Sequence, residues 1–307
     1  MTRRLRGQIA MKCHKITHSE GAIIKNKGNF VQSIFRYPGG KTRKKAREWV
    51  LKHEPAGCLE YREPFVGGGG IFFAVDTAKN RWINDKDEHL VSVYEALRDR
   101  PEDFIAKCCA IPVYQKANRG AEFQRLKEEF TRIAFDDKED KALRFFFVNR
   151  TVFAGRVNYE RKSRLYFSKP EGWTEAALER LGEASQSLQG VKITTGDYEP
   201  LLLSSGSNVW VYCDPPYVKS LKSTSLLYRH NFDTPDHERL AETVKRSPHK
   251  VCVSYEDDPD GVVRSLYKGF NIVELEWTYA GSWNPDENGQ DKKRRGKELL
   301  ILNYEAK

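Results

Sequence analysis

The 307-residue sequence has no run approaching the ~20 consecutive apolar residues of a membrane-spanning helix. Its opening stretch, MTRRLRGQIAMKCHKITHSEG, is basic but has no apolar signal core, so a soluble cytoplasmic protein is expected. Cysteine is sparse. The six residues (Cys13, Cys58, Cys108, Cys109, Cys213 and Cys252) form no C-x-x-C pair and read as reduced thiols. Cys13, His14 and His18 lack a fourth partner, so no metal is expected. Acidic residues are in deficit, 43 against 52 Lys and Arg, which leaves a formal charge of +9. With 39% hydrophobic residues and a mean hydropathy of -0.67, the composition is globular with a polar surface, which excludes wholesale disorder. The basic balance favours a polyanionic partner, with plain surface charge as the alternative.

Two common nucleotide-binding motifs are also missing. The glycine run EPFVGGGGIFF at 63–73 does not satisfy G-x-G-x-x-G, because Phe72 or Phe73 falls where the third glycine belongs. The segment FRYPGGKTR at 35–43 ends like a phosphate-binding loop, but that motif needs glycine at the position of Phe35, so an ATPase is not expected.

What is present is a series of short apolar, β-branched runs: CLEYREPF ending at Phe65, RWIND, VKITTGD, NVWVYCDPP, KVCVSYED, FNIVELEW and ELLILNY. Several of them are nearly continuous apolar and β-branched, as strands buried on both faces should be. TPDHERLAETVKRS at 234–247 has helical periodicity and a capping-type start at Thr234. Strands alternating with helices predict an α/β fold with a mostly parallel sheet. The rhythm breaks over residues 98–190, a charged, helix-like interval that predicts an inserted domain between catalytic parts at 31–97 and 191–307. Residues 1–30 carry seven Lys or Arg and one acid and read as a mobile basic arm. From Lys141 to Lys169, eight bases alternate with Phe145, Phe146, Phe147, Phe153, Tyr159, Tyr166 and Phe167, a mixture suited to phosphate contact and base stacking.

Three constellations carry chemistry. The first is the glycine run with Glu63 and Phe65 before it and an apolar segment suited to a helix start after it; four glycines after a strand let backbone approach a ligand closely, although a flexible loop is the plainer reading. About 20 residues on, Asp85 closes the next strand, where a carboxylate can accept from ribose hydroxyls. The second is RYPGGK: Tyr37, a tight turn through Gly39, and the cation Lys41, or simply a turn before the basic helix TRKKAREWVL. The third and most specific is DPPY at 214–217, directly after NVWVYC. Pro215 and Pro216 have fixed φ and no N–H, so the Asp214 carboxylate and Pro215 carbonyl become rigid acceptors beside the Tyr217 ring. Two acceptors and an aromatic plane suit an amino group on a flat base; a bare turn is the alternative.

Taken in order, RYPGGK, EPFVGGG, NDKD, GDY at 196–198 and DPPY resemble the Dam-like, alpha-class DNA adenine N6-methyltransferases, and FDTPDHERLA, VSYED and KELLILNY resemble their downstream motifs. The resemblance covers roughly residues 31–97 and 191–307. It implies a Rossmann-like S-adenosylmethionine-dependent methyltransferase sheet with an inserted, mainly helical target-recognition domain. It also implies transfer of a methyl group from S-adenosylmethionine to N6 of a flipped-out adenine in duplex DNA, with no metal. Cofactor contacts would come from Tyr37, Gly39, Lys41, Glu63, Phe65, Gly67, Gly68, Gly69, Asp85, Asp197 and Asp214; Asp214, Pro215 and Tyr217 would be catalytic. A monomer is implied, with a cognate restriction enzyme as a companion. The recognition stretch NRTVFAGRVNYERK at 149–162 departs from the family pattern N-R-x-x-[FY]-N-G-L-x-R-[FY]-N at Ala154 and in length, so a GATC target is not implied. DNA contacts are expected from Arg150, Arg156, Asn158, Arg161 and Lys162. Methylation of RNA, or a catalytically dead DNA-binding relative, are the competing functions. If Lys162 meets phosphate, Lys162→Ala weakens binding to all sequences and flattens its salt dependence; if Arg156 reads a base, Arg156→Ala relaxes sequence preference. Equilibrium binding across a salt series, on duplexes of varied sequence, checks both.

Overall fold

The computed structural model describes residues 30–36, 41–113, 138–152, 172–218, 232–278 and 295–306, with Ile16, Arg125, Gly155 and Val157. All seven apolar runs form strands: β1 (Glu60–Glu63), β2 (Asn80–Asp85), β3 (Lys192–Thr195), β4 (Val209–Cys213), β5 (Lys250–Glu256), β6 (Asn271–Thr278) and β7 (Arg295–Leu302). They make one sheet in the order β3-β2-β1-β4-β5-β7-β6. The first five strands are parallel, whereas β7 runs antiparallel between β5 and β6. The helices among the described residues are α1 (Lys44–Lys52), α2 (Glu88–Asp99), α3 (Pro101–Ala110), α4 (Lys138–Thr151), α5 (Glu175–Leu188), α6 (Glu199–Leu203), α7 (Thr234–Arg246) and α8 (Val262–Leu266).

The period of two along each strand divides the core between the sheet's faces. Trp210, Tyr212, Cys252, Leu300 and Leu302 point to one face, where Leu90, Leu97, Phe146, Leu178 and Leu181 cover them. Val209, Val211, Cys213, Val251, Val253, Leu299 and Ile301 point to the other, beneath Leu240, Val244, Val263 and Tyr267. Both faces are therefore covered, as a parallel sheet requires.

Three details differ from the sequence reading. Asp233, not Thr234, caps α7: its side chain accepts from Asp236 N–H, and Asp236 accepts from Asp233 N–H at 3.0 Å. Starting one residue earlier places Asp236 at the third helical position, which completes a reciprocal capping box. The apolar segment after the glycines forms one 3₁₀ turn, Phe72–Ala74, rather than a helix. Val75, extended at φ -78° and ψ 119°, ends the turn. Phe145, Phe146 and Phe147, read as base-stacking rings, are core residues exposed by 2%, 0% and 1%. Phe146 packs edge-on against Trp173 at 5.5 Å and Phe104 at 6.1 Å, so α4 turns its aromatic residues inward onto α3 and onto Trp173 ahead of α5. Deleting a buried aromatic removes its burial and leaves a cavity; Phe146→Ala is expected to lower stability by about 3–5 kcal/mol in urea unfolding. A surface stacking ring would cost little.

Candidate active site

In a parallel sheet the crevice outside the carboxyl ends of the strands, where strand order reverses, is the place for a ligand. Here the reversal lies between β1 and β4. The predicted motifs converge on that edge: Glu63 ending β1 and Phe65 just after it, Asp85 ending β2, Asp197 after β3 and Asp214 after β4. Asn84 ties the edge together by donating to Pro64 O at 3.1 Å and Gly196 O at 3.0 Å while accepting from Thr194 Oγ1.

At its centre is a buried lysine. Lys41 Nζ lies 3.3 Å from Asp214 Oδ1 and 3.3 Å from Glu298 Oε2, and it also donates to the Tyr217 hydroxyl. Burial would lower the ammonium pKa, but the Asp214 and Glu298 carboxylates outweigh burial and raise it. Tyr217 OH donates to Glu298 Oε2 at 3.0 Å, and the Lys41 ammonium sits 5.0 Å from the Tyr217 ring centroid. Burial first, and the neighbouring carboxylates second, push the Tyr217 phenol well above its ordinary pKa, so it stays a neutral donor. Asp214 Oδ1 also accepts from Ser254 Oγ at 2.7 Å, and Ser254 shares a hydrogen bond with Tyr212 OH at 3.0 Å. One Asp214 oxygen is thereby held by Lys41 and Ser254.

The glycine loop packs directly against this cluster. Gly69 has φ +68°, and a Cβ there would lie 2.8 Å from Tyr94 Oη; at Gly70 it would lie 2.9 Å from the Lys41 carbonyl carbon and oxygen. Glycine is needed because the backbones of two motifs touch. Gly67 N–H donates to Asp85 Oδ2 at 2.9 Å, and Asp87 N–H donates to Asp85 Oδ1 at 2.9 Å. Burial, opposed by these hydrogen bonds, pushes the Asp85 carboxyl up to about 6. Glu63 is raised well above its ordinary value, again by burial, while accepting from Tyr61 OH at 2.5 Å.

Phe65, Tyr198 and Phe232 form an aromatic wall near Asp197, with Phe65 5.2 Å from Tyr198 and 5.8 Å from Phe232 between centroids. Asp197 itself is exposed and paired with Arg239, whose Nε donates to Tyr198 OH at 2.8 Å. Glu298, Ser254, Tyr198 and Phe232 were not anticipated from sequence; Glu298 carried a signal only as the acid inside KELLIL. The expectation for Arg150 does not fit its position. It is 9% exposed, its guanidinium donates to Gly172 O at 2.9 Å and to Ile34 O at 3.4 Å, and burial lowers its pKa to about 10. Those donors are spent inside the protein and are not directed at DNA. Tyr37, Gly39, Arg156, Asn158, Arg161 and Lys162 lie outside the described residues.

Comparison with known proteins identifies the family. The family model described as D12 class N6 adenine-specific DNA methyltransferase matches residues 37–280. The type II methyltransferase M1.LlaDCHI of Lactococcus lactis subsp. cremoris is 28% identical over 297 residues, covering 92% of this chain and 98% of its own. M.MjaIII, a type II methyltransferase of Methanocaldococcus jannaschii, is 26% identical, with 89% and 99% covered. A DNA adenine methylase of Vibrio cholerae is 27% identical over 80% of this chain and 89% of its own. With the family model spanning more than half of its length, and the buried Lys41–Asp214–Tyr217 cluster at the switch point of a Rossmann-like sheet, the chain belongs to the D12 class of N6 adenine-specific DNA methyltransferases.

Proposed function

We propose that this protein uses S-adenosylmethionine to methylate N6 of an adenine flipped out of duplex DNA. The observation that carries the reading is the convergence of Lys41, Asp214 and Tyr217 beside the glycine loop at the switch point. The residues present fit the donor. A half-buried carboxylate at Asp85 suits ribose hydroxyls, and the aromatic wall of Phe65, Tyr198 and Phe232 suits an adenine ring. The glycine backbone at 67–70 leaves space for close approach by the methionine part. When bound, S-adenosylmethionine supplies an electrophilic methyl group on a positively charged sulfur.

The adenine amino group is a weak nucleophile because its lone pair is delocalised into the ring. The Asp214 carboxylate and the Pro215 carbonyl accept hydrogen bonds from that amino group, drawing it toward tetrahedral geometry and stabilising the positive charge that develops on nitrogen. The Tyr217 ring provides the stacking surface, and its hydroxyl, held by Glu298 and Lys41, fixes the ring's orientation. Extrusion from the stack is what brings the base within reach of Asp214. Within the interval 98–190, bases at Arg156, Arg161 and Lys162 with Asn158 are assigned the contacts to DNA, since arginine pairs with guanine and asparagine with adenine. A monomer is the simplest assembly, and the type II relative in Lactococcus lactis favours a companion restriction enzyme.

Transfer of labelled methyl from S-adenosylmethionine to unmethylated duplex DNA tests the reading. Asp214→Ala is expected to lower kcat at least ~10²-fold; equal incorporation by variant and wild type overturns the assignment. RNA in place of DNA is expected to accept no label. The Asp85 carboxylate accepts from ribose hydroxyls in its ionised form, and its raised pKa places that ionisation near 6. Affinity for S-adenosylmethionine is thus expected to be full above this range and to fall as pH drops through about 6. Titration calorimetry between pH 5 and 8 follows this loss, and Asp85→Asn is expected to bind weakly with that pH dependence gone.

A further inference from the structure

Residues 33–36 lie between two parts of the molecule that the reaction must bring into register. On one side stands the end of α4. The Asn149 side-chain amide, fully buried, pairs with both backbone groups of Arg36: Arg36 N–H donates to Oδ1 at 2.9 Å, and Nδ2 donates to Arg36 O at 2.8 Å. The same Nδ2 reaches Gly155 O at 3.1 Å. The Arg36 guanidinium returns the contact by donating to Arg150 O at 3.3 Å and Val152 O at 3.4 Å. Arg150 Nη1 donates to Ile34 O at 3.4 Å. A Cβ at Gly155 would lie 1.6 Å from Arg36 O, and one at Gly172 would lie 1.7 Å from Arg150 O, so the approach admits no larger residues.

On the other side is the cofactor end. Ser33 Oγ donates to Gly68 O at 2.5 Å. Phe35 packs edge-on against Tyr94 at 5.2 Å, and the Tyr94 hydroxyl donates to Gly67 O at 2.9 Å. Five residues beyond Arg36 the chain arrives at Lys41, whose ammonium holds Asp214 and Tyr217. Past Val152, the sequence runs into Arg156, Asn158, Arg161 and Lys162.

We propose that Asn149 is a positioning residue that locks the segment leading into RYPGGK to the helix end leading into the basic stretch, so that cofactor and duplex DNA bind with positive linkage. The proposal rests on the methyltransferase reading above. A side-chain amide that satisfies both the N–H and the C=O of one residue replaces a rung of a β-ladder, and it can be broken only by leaving buried polar groups unpaired. Movement of residues 149–152 therefore carries Arg36 with it, and through Ser33 the Gly68 loop follows. Linkage between two binding events is reciprocal, so each ligand stabilises the arrangement the other requires.

Titration calorimetry on the full chain measures the dissociation constant of S-adenosylmethionine alone and with saturating sheared DNA from a host lacking adenine methylation. The wild type is expected to bind the cofactor about tenfold more tightly with DNA present. Asn149→Ala, judged folded by circular dichroism, is expected to retain cofactor binding while the ratio falls to within about twofold of unity. A merely structural role would lower the unfolding midpoint and leave the ratio of the folded protein unchanged. Arg36→Ala keeps the amide pair to the backbone but removes the guanidinium contacts, and its expected ratio lies between the two; it carries the test if Asn149→Ala does not fold. An undiminished ratio in the folded variants, or no linkage in the wild type, overturns the proposal. A wild type that neither binds S-adenosylmethionine nor transfers methyl strikes the function reading instead.

Discussion

The site depends on one expensive act, burying the Lys41 ammonium. An isolated charge removed from water costs several kcal/mol, and such a group survives only among partners of opposite charge. Lys41 is 2% exposed and has two such partners, Asp214 and Glu298, with the Tyr217 hydroxyl as a third acceptor. They come from different places in the chain: Asp214 and Tyr217 follow β4, and Glu298 lies on β7. The lysine is thus neutralised only when the sheet has its strands in order, which makes the charge cluster a product of the complete fold. Ser254 on β5 adds a neutral donor to Asp214, so the strand between β4 and β7 also contributes.

Backbone proximity reinforces the same point. The Lys41 main chain is so close to the glycine loop that a methyl group at residue 70 has nowhere to go. The loop after β1 and the segment before α1 consequently act as a single surface. The Asn149 amide extends that surface to the end of α4, where a side chain does the work usually done by a strand. Turns at the carboxyl edge are knit likewise by Asn84, whose side chain spans the loops after β1 and β3.

β4, β5 and β7 were legible because strands buried on both faces are nearly continuous apolar runs, a signal that needs no partner to be recognised. Lys41, Asp214 and Tyr217 stood out because turns with glycine or proline restrict the backbone, and Asp85 because it closes the strand that follows the glycine run. The aromatic–basic stretch misled for a physical reason: Phe145, Phe146 and Phe147 beside Arg144 and Arg150 give the same local composition whether the rings meet bases or meet Trp173. Arg150 misled similarly, since a guanidinium satisfied by carbonyls of Gly172 and Ile34 is indistinguishable in sequence from one facing guanine. Only long-range packing decides between those cases. The cap of α7 shifted by one residue because Asp233 and Thr234 are both competent caps, and the reciprocal bond to Asp236 chooses between them.

Glu298 was hidden for a different reason, one that concerns topology. A residue at the start of a parallel strand emerges at the edge away from the ligand crevice, so an acid opening ELLIL reads as remote from chemistry. But β7 is antiparallel to β5, and Glu298 stands opposite Glu256, the last residue of β5. Reversal of this one strand carries its beginning to the carboxyl edge of the parallel set. The Glu298 carboxylate therefore arrives beside Lys41 and Tyr217 although nearly the whole length of β7 beyond it is apolar core. Had β7 entered parallel, Asn303 near its far end would face the crevice; instead Asn303 closes the opposite edge, accepting from Val251 N–H at 2.7 Å and donating to His249 O at 2.9 Å. Strand direction, which no local pattern encodes, is what gives the buried lysine its second carboxylate.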